Sequence, residues 1–522
     1  PYGWMRDGTP WGWEEREVAV NVCSWQLLTA DALTYGFIYG GDAGLLDRAG
    51  EAFKTGSNPN IEYYSPEYTA TKEATNSANF GQVYMHLKSP PSEPVTSMQF
   101  DEWICLENPG SEPAGVQIKY YFGDGGGVTQ ALDVPARTRR TVDVNAAVGG
   151  GRDVSATVTS DRPISAERPM YFDYHGAYPG GHDGVGATSP ARKWYFAEGT
   201  TRPGFEEWLT IQNAQESDSV VTLTYMLEDE GVRTQHVNAL AHSRTTVNVN
   251  DFLGPNHDVS TLVESQVPVV AERPMYFRYR DKWEGGHNAL GARDASTTWY
   301  FAEGTTRANP DDGDYEQWLC LQNPNQREAH AHVCFLQNRG GVAERDYTLA
   351  PMSRRTIDVN LELGPDRDVS TELRCDLPIV AERPLYFKFR GTWDGGDDVV
   401  GAVEPAKEWH FAEGCTRDGF HTWLCLGNPQ NQDVAATIDY FLGTGRNVSK
   451  PVIVPARSRV TVDVNLDVGS GEDVSCRVTA GQPIVAERPM YFDYHGKWAG
   501  GHVAMGTAAP GTEWHFAEGC TR

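Results

Sequence analysis

Carboxylates, histidines and cysteines recur at fixed places along this chain. Glu198, Glu303, Glu413 and Glu518 each lie in a Trp-aromatic-Phe-Ala-Glu-Gly peptide. Glu167, Glu272, Glu382 and Glu487 each precede an Arg-Pro, placing Arg168, Arg273, Arg383 and Arg488 beside them. Two carboxylates flanking a cleft are the machinery of glycoside hydrolysis. The same groups paired with arginine form a structural network that pins sheet ends. Four near-equivalent copies in tandem favour the network, because an enzyme seldom repeats its active site so often.

His182, His287 and His502 follow Gly-Gly, and the third copy has Asp397 there. Histidine suggests metal, yet one per loop without a second ligand at zinc spacing reads better as a capped turn. Asp153, Asp258, Asp368 and Asp473 precede Val-Ser and fit either calcium or Asx capping of a turn. Asp311, Asp312 and Asp314 are the best isolated calcium candidates, although their spacing is not that of an EF-hand loop. Gly-x-Ser-x-Gly, His-Glu-x-x-His, the Walker loop and Cys-x-x-Cys are all missing from the sequence. The expectation is a non-enzyme without a cofactor.

These residues are carried by a repeat. Trp194, Trp299, Trp409 and Trp514 open the hexapeptide at spacings of 105, 110 and 105 residues. Between them come a Ser-Arg-x-Thr-Val-Asp-Val-Asn-like stretch, Asp-Val-Ser, Ala-Glu-Arg-Pro-Met-Tyr-Phe and the Gly-Gly loop. Short β-branched and aromatic runs such as Val220 to Met226 and Val269 to Tyr279 alternate with Gly, Pro, Asn and Asp clusters. About seven strands per period predict a mainly β chain of tandem immunoglobulin-like β-sandwiches, with a small barrel as alternative. The boundaries are 95–193, 194–298, 299–408 and 409–513, then an orphan opening strand at 514–522. Residues 1–94 differ. Trp13 to Tyr39 and Leu45 to Phe53 have helical apolar spacing, and 54–94 reads as extended, loop-like chain.

Composition narrows the partners. Lys plus Arg is 44 against 71 Asp plus Glu, a net charge of −27, which disfavours nucleic acid and anionic bilayers. No apolar run approaches the roughly 18 residues of a membrane span. A start at Pro-Tyr-Gly-Trp without Met is expected of a processed product. Most of the 15 Trp recur at strand positions and read as core, the alternative being a sugar-stacking stripe.

The Trp-Tyr-Phe-Ala-Glu-Gly-Thr-Thr opening and Ala-Glu-Arg-Pro-Met-Tyr-Phe segment resemble tandem repeats of large secreted or surface proteins of Actinobacteria and similar bacteria. The resemblance covers residues 99–522 and implies an extracellular or surface location, with no chemistry attached. The segment from Ala30 to Phe53 resembles the last hairpin of the α/α-toroid domains of carbohydrate-processing enzymes. An accessory region of a polysaccharide-processing enzyme is therefore one alternative reading. An adhesin or carbohydrate-binding stalk that contacts a surface glycan is another.

Nine cysteines, eight of them in the repeats, fit disulfides in an oxidising compartment. Cys415–Cys425 and Cys334–Cys375 are candidate bridges, with Cys425–Cys476 competing. The repeats are also out of phase with the chain. The first, beginning at Trp103, lacks an opening strand, and Trp514 to Arg522 is an opening strand with no repeat after it. Four domains in a near-linear row would leave that strand for the next subunit. Trp514, Phe516 and Glu518 would complete its first domain, and Cys520 would pair with Cys105. Contacts of this kind propagate as a head-to-tail filament with itself as partner.

Overall fold

The computed structural model describes residues 98–522 apart from 229, 310–312 and 339, together with the backbone of four strands nearer the N-terminus. The chain divides into two units, Pro1–Ser97 and Met98–Arg522. In the first, Arg16–Val22 pairs antiparallel with Gly81–Leu87, and Ile61–Tyr64 with Thr69–Lys72. The expected helix from Trp13 therefore contains a strand. Val18, Val20 and Val22 alternate at period two, and that pattern prevails over the helical spacing. The strands within 54–94 likewise replace expected loop. The rest of both expected helices, and the toroid-like hairpin, lie outside the described residues.

The second unit holds four copies of one antiparallel design, each built on a single 21-residue strand: Val154–Tyr174, Val259–Tyr279, Val369–Phe389 and Val474–Tyr494. In repeat 2 the first half of this strand lies between the opening strand Ala191–Phe196 and Ser219–Leu227, whose hairpin partner is Gly231–Ala239. Its second half lies between Phe205–Asn213 and the Gly-Gly strand Trp283–Leu290, and Ser243–Asn248 flanks Phe205–Asn213. Each repeat thus curls two four-stranded halves around one shared strand. The Val-Asp-Val-Asn stretch is a one-turn helix, such as Val144–Val148, capped by the Asp143 carboxylate and ended by Gly149 at a φ of 81°. Its second residue ties the helix to the strand Gln99–Asn108, for Asn145 Oδ1 accepts from Glu102 N and its Nδ2 donates to Phe100 O.

The repeats do not form a row. The Gly-Gly strands Tyr178–Val185, Trp283–Leu290, Trp393–Val400 and Trp498–Met505 each touch the next, and the fourth touches the first. A Cβ on Gly180 would lie 3.3 Å from Gly285 Cα, one on Gly285 3.5 Å from Gly395 Cα, and one on Gly500 3.6 Å from Gly180 Cα. The unit is a closed ring with a pseudo-four-fold axis.

Every seam repeats one contact. Phe172 enters the space a Cβ of Gly286 would fill, Phe277 that of Gly396, Phe387 that of Gly501, and Phe492 returns to Gly181. Rings stack face to face at the same seams: Tyr174 on Tyr276, Tyr279 on Tyr386, Phe389 on Tyr491 and Tyr494 on Tyr171, at 3.6 to 3.9 Å. Such pairs contribute about 0.5–1.5 kcal/mol beyond their buried area. Every residue from Val269 to Phe277 is buried, because one face meets its own repeat and the other its neighbour.

The terminal strand closes the circle. Gly511–Phe516 pairs with the long strand of repeat 1, Trp514 opposite Val158, as Trp194 stands opposite Val263 in repeat 2. The strand expected to complete another subunit completes the first repeat of its own chain.

Candidate functional site

The cyclic seams bring the recurrent charges together. Glu272 of repeat 2 accepts from the backbone N–H of Ala517 and Glu518, the opening strand of repeat 1. Glu382 caps Glu198, Glu487 caps Ala302 and Glu303, and Glu167 caps Ala412 and Glu413 in the same way. The arginines bridge the same seams. Arg273 meets Glu382 at 3.0 Å, Asp398 at 2.7 Å and Glu198 at 3.0 Å. Arg383 holds Glu303 and Glu487, Arg488 holds Glu167 and Asp183, and Arg168 reaches Glu272. Six of the eight candidate carboxylates are thus paired with these arginines, between repeats as well as within them.

A second set of arginines was not singled out in the sequence although it stood in the Ser-Arg-x-Thr stretch. Arg244 pairs with Glu518 at 2.7 Å and Arg139 with Glu413 at 2.8 Å. Arg354 donates to Gly199 O and Arg459 to Gly304 O, each in the preceding repeat.

At one end of the axis the four repeats enclose an open pocket of about 400 Å³. Asp183, Asn288, Asp398 and Val503 occupy one equivalent position around it, and Val185, Leu290, Val400 and Met505 the next on the same face. Asn288 Nδ2 donates to Glu272 at 2.6 Å. In repeat 1 Asp183 takes that place, and Arg488 meets both it, at 2.7 Å, and Glu167, at 3.2 Å. Burial, then neighbouring Asp183, pushes Glu167 well up despite Arg488; burial and Asp398 do the same to Glu382. The pocket therefore has apolar walls over a polar base.

His182, His287, Asp397 and His502 are buried in strands, where capped turns were expected. None of the six imidazole nitrogens has a hydrogen-bond partner, whereas Asp397 accepts from Val503 N at 2.9 Å. Burial first, and then the nearby arginine, pushes each histidine well down, keeping it neutral. Their ligand atoms do not converge on one ion position, since the one cluster with metal-ligand proximity among the described residues is elsewhere.

The other candidates resolve individually. Asp153, Asp258, Asp368 and Asp473 pair with Arg522, Arg202, Arg307 and Arg417. Asp314 pairs with Lys282 at 2.6 Å, and Asp311 and Asp312 lie outside the described residues. Trp194, Trp299, Trp409 and Trp514 are buried, each donating Nε1 to a carbonyl of its long strand, so they form no stacking stripe.

All eight described cysteines are free. Cys334 stands opposite Glu372 and Cys375 opposite Ala331, three residues out of register and on opposite faces, beyond the reach of a disulfide. Cys415 packs with Tyr171 of repeat 1, while Cys425 takes Arg459 at the seam with repeat 3. Cys520 and Cys105 lie in one completed repeat at opposite seams: Cys520 clusters with Tyr276 of repeat 2, and Cys105 donates to Glu413 of repeat 4.

A family profile described as "Family of unknown function (DUF5719)" matches residues 93–359. No curated protein matches. Among solved structures, that of Thermotoga maritima 1070 is 23% identical, covering 20% of this chain and 94% of its own, with a TM-score of 0.19. The Anabaena sensory rhodopsin transducer is 24% identical, with coverages of 16% and 96% and a TM-score of 0.15. A tetra-tandem repeat from the extending region of a large adhesion protein is 11% identical over 78% and 93%, at 0.10.

Proposed function

We propose that this chain, which belongs to the family of unknown function DUF5719, is a non-enzymatic extracellular structural protein whose four immunoglobulin-like sandwiches make a rigid platform. The observation that carries the reading is the closed ring with its axial pocket. Recurrent acids that would otherwise suggest hydrolysis are spent on arginines and strand ends at the seams. The pocket offers an apolar seat for a surface partner. Sedimentation and negative-stain imaging of native material test this: discrete rings on the outer cell surface support it. A polysaccharide turnover abolished by Glu167→Gln would overturn it.

A head-to-tail filament is the second reading. The terminal strand is held only by non-covalent contacts, so a ring opened at this seam can place the strand in the next copy and recover the same contacts. End-to-end ladders in the same images that vanish on deleting 514–522 would favour it.

A further inference from the structure

The outer hairpin of repeat 3 brings together ligand-type side chains that no other repeat has. Ala329–Gln337 pairs with Val342–Leu349, setting Cys334 opposite Glu344 and His332 opposite Asp346. Residues two apart on a strand share a face, so all four side chains lie on one surface. Ligand atoms of His332, Cys334 and Glu344 are within 4.8 Å of one another. Tetrahedral zinc, with bonds of about 2.0–2.3 Å, needs such atoms a little under 4 Å apart, a small side-chain adjustment.

Two further observations point to a ligand. His332 Nδ1 is held by Asp346 at 2.8 Å, which leaves Nε2 to bind and fixes the ring as carboxylates do behind metal-bound histidines. The corresponding residues elsewhere are Gln117, Lys119 and Thr129 in repeat 1, Thr222, Thr224 and Thr234 in repeat 2, and Thr437, Asp439 and Ser449 in repeat 4. Those hairpins form without a histidine–cysteine–glutamate trio, so the fold does not require it.

We propose that His332, Cys334 and Glu344 bind one divalent metal ion of the zinc class, with water as fourth ligand and Asp346 as a positioning residue. One nitrogen, one thiolate and one carboxylate suit a borderline ion and disfavour the all-oxygen preference of calcium and magnesium. Binding replaces the thiol proton with the metal, and the proton leaves to solvent. Because the thiol proton must leave before the sulfur can bind, affinity rises with pH. Glu372 itself is committed to Arg374 and Arg457.

The test is titration of the full-length, chelator-stripped, reduced protein with Co²⁺. One ion should bind per chain, with a near-ultraviolet thiolate-to-cobalt band that Zn²⁺ abolishes by competition. Cys334→Thr, which installs the residue of repeat 2, should remove the band and weaken binding at least ~100-fold. Asp346→Asn should weaken binding about 10-fold while leaving the melting temperature of the metal-free protein unchanged. Cys375→Ser should change neither. Absence of the band in the parent protein, or its survival in Cys334→Thr, overturns the proposal.

Discussion

Glu102 and Glu207 are buried beside the Ala-Glu-Gly ends of the opening strands, where burial pushes both carboxyls up to about 8. Burial likewise raises Glu198 and Glu487 to about 7. The folded ring therefore holds protons that the unfolded chain releases above its ordinary carboxylate range. Their stabilisation is complete at acid pH and is lost as pH rises through about 7 to 8. Thermal melts should show a lower midpoint near pH ~9 than near pH ~6. Glu102→Gln with Glu207→Gln should flatten that slope, since repeat 3 already has Gln317 there. Removing a cation acts oppositely. Arg383→Met strands Glu303 and Glu487 in a dry seam and should cost about 3–5 kcal/mol by urea unfolding. Adding Glu487→Gln to that variant should restore some of the loss.

The terminal strand makes the case at the level of elements. Trp514 is fully buried and donates to Ile164 O at 3.0 Å, so Trp514→Ala should cost about 3–5 kcal/mol, as much as Trp299→Ala in mid-chain. Equal denaturation midpoints for the two variants would bear this out. That a strand was missing from repeat 1 could be read from the phase of the Trp-aromatic-Phe-Ala-Glu-Gly peptides, and so could the arginine-paired carboxylates. Whether it enters the first repeat of its own chain or of another copy could not. The bend of the row depends on Phe172, Phe277, Phe387 and Phe492 meeting glycines of another repeat, and local periodicity carries no trace of such partners. The axial pocket was hidden for the same reason, since each repeat supplies only one wall. Cross-strand clusters such as His332, Cys334 and Glu344 depend on register, which cysteine counting passes over.

As a whole, the second unit has four equivalent seams, one of them bridged only by non-covalent contacts. Arg522 O accepts from Phe100 N at 2.8 Å, as Arg202 O accepts from Phe205 N where the chain is continuous. Met98 and Gln99 thus stand where Pro203 and Gly204 form the connecting turn. Joining residue 522 to residue 98 and opening the chain before Trp299 should give a permutant with the parent's circular dichroism and sedimentation. Unfolding of the parent unit should be one transition, because each repeat is sandwiched between two others. A protein lacking residues 514–522 should unfold in steps, as open arrays do. Adjacent ends also govern how the ring bears load. Tension applied between residues 98 and 522 falls first on the few hydrogen bonds at that junction, which break in succession like a zip, while the three covalent seams stay slack. Under pull the second unit behaves as a clasp that releases before its links stretch, turning a compact circle into an extended chain in which repeats 2, 3 and 4 stay whole and repeat 1 has given up its opening strand.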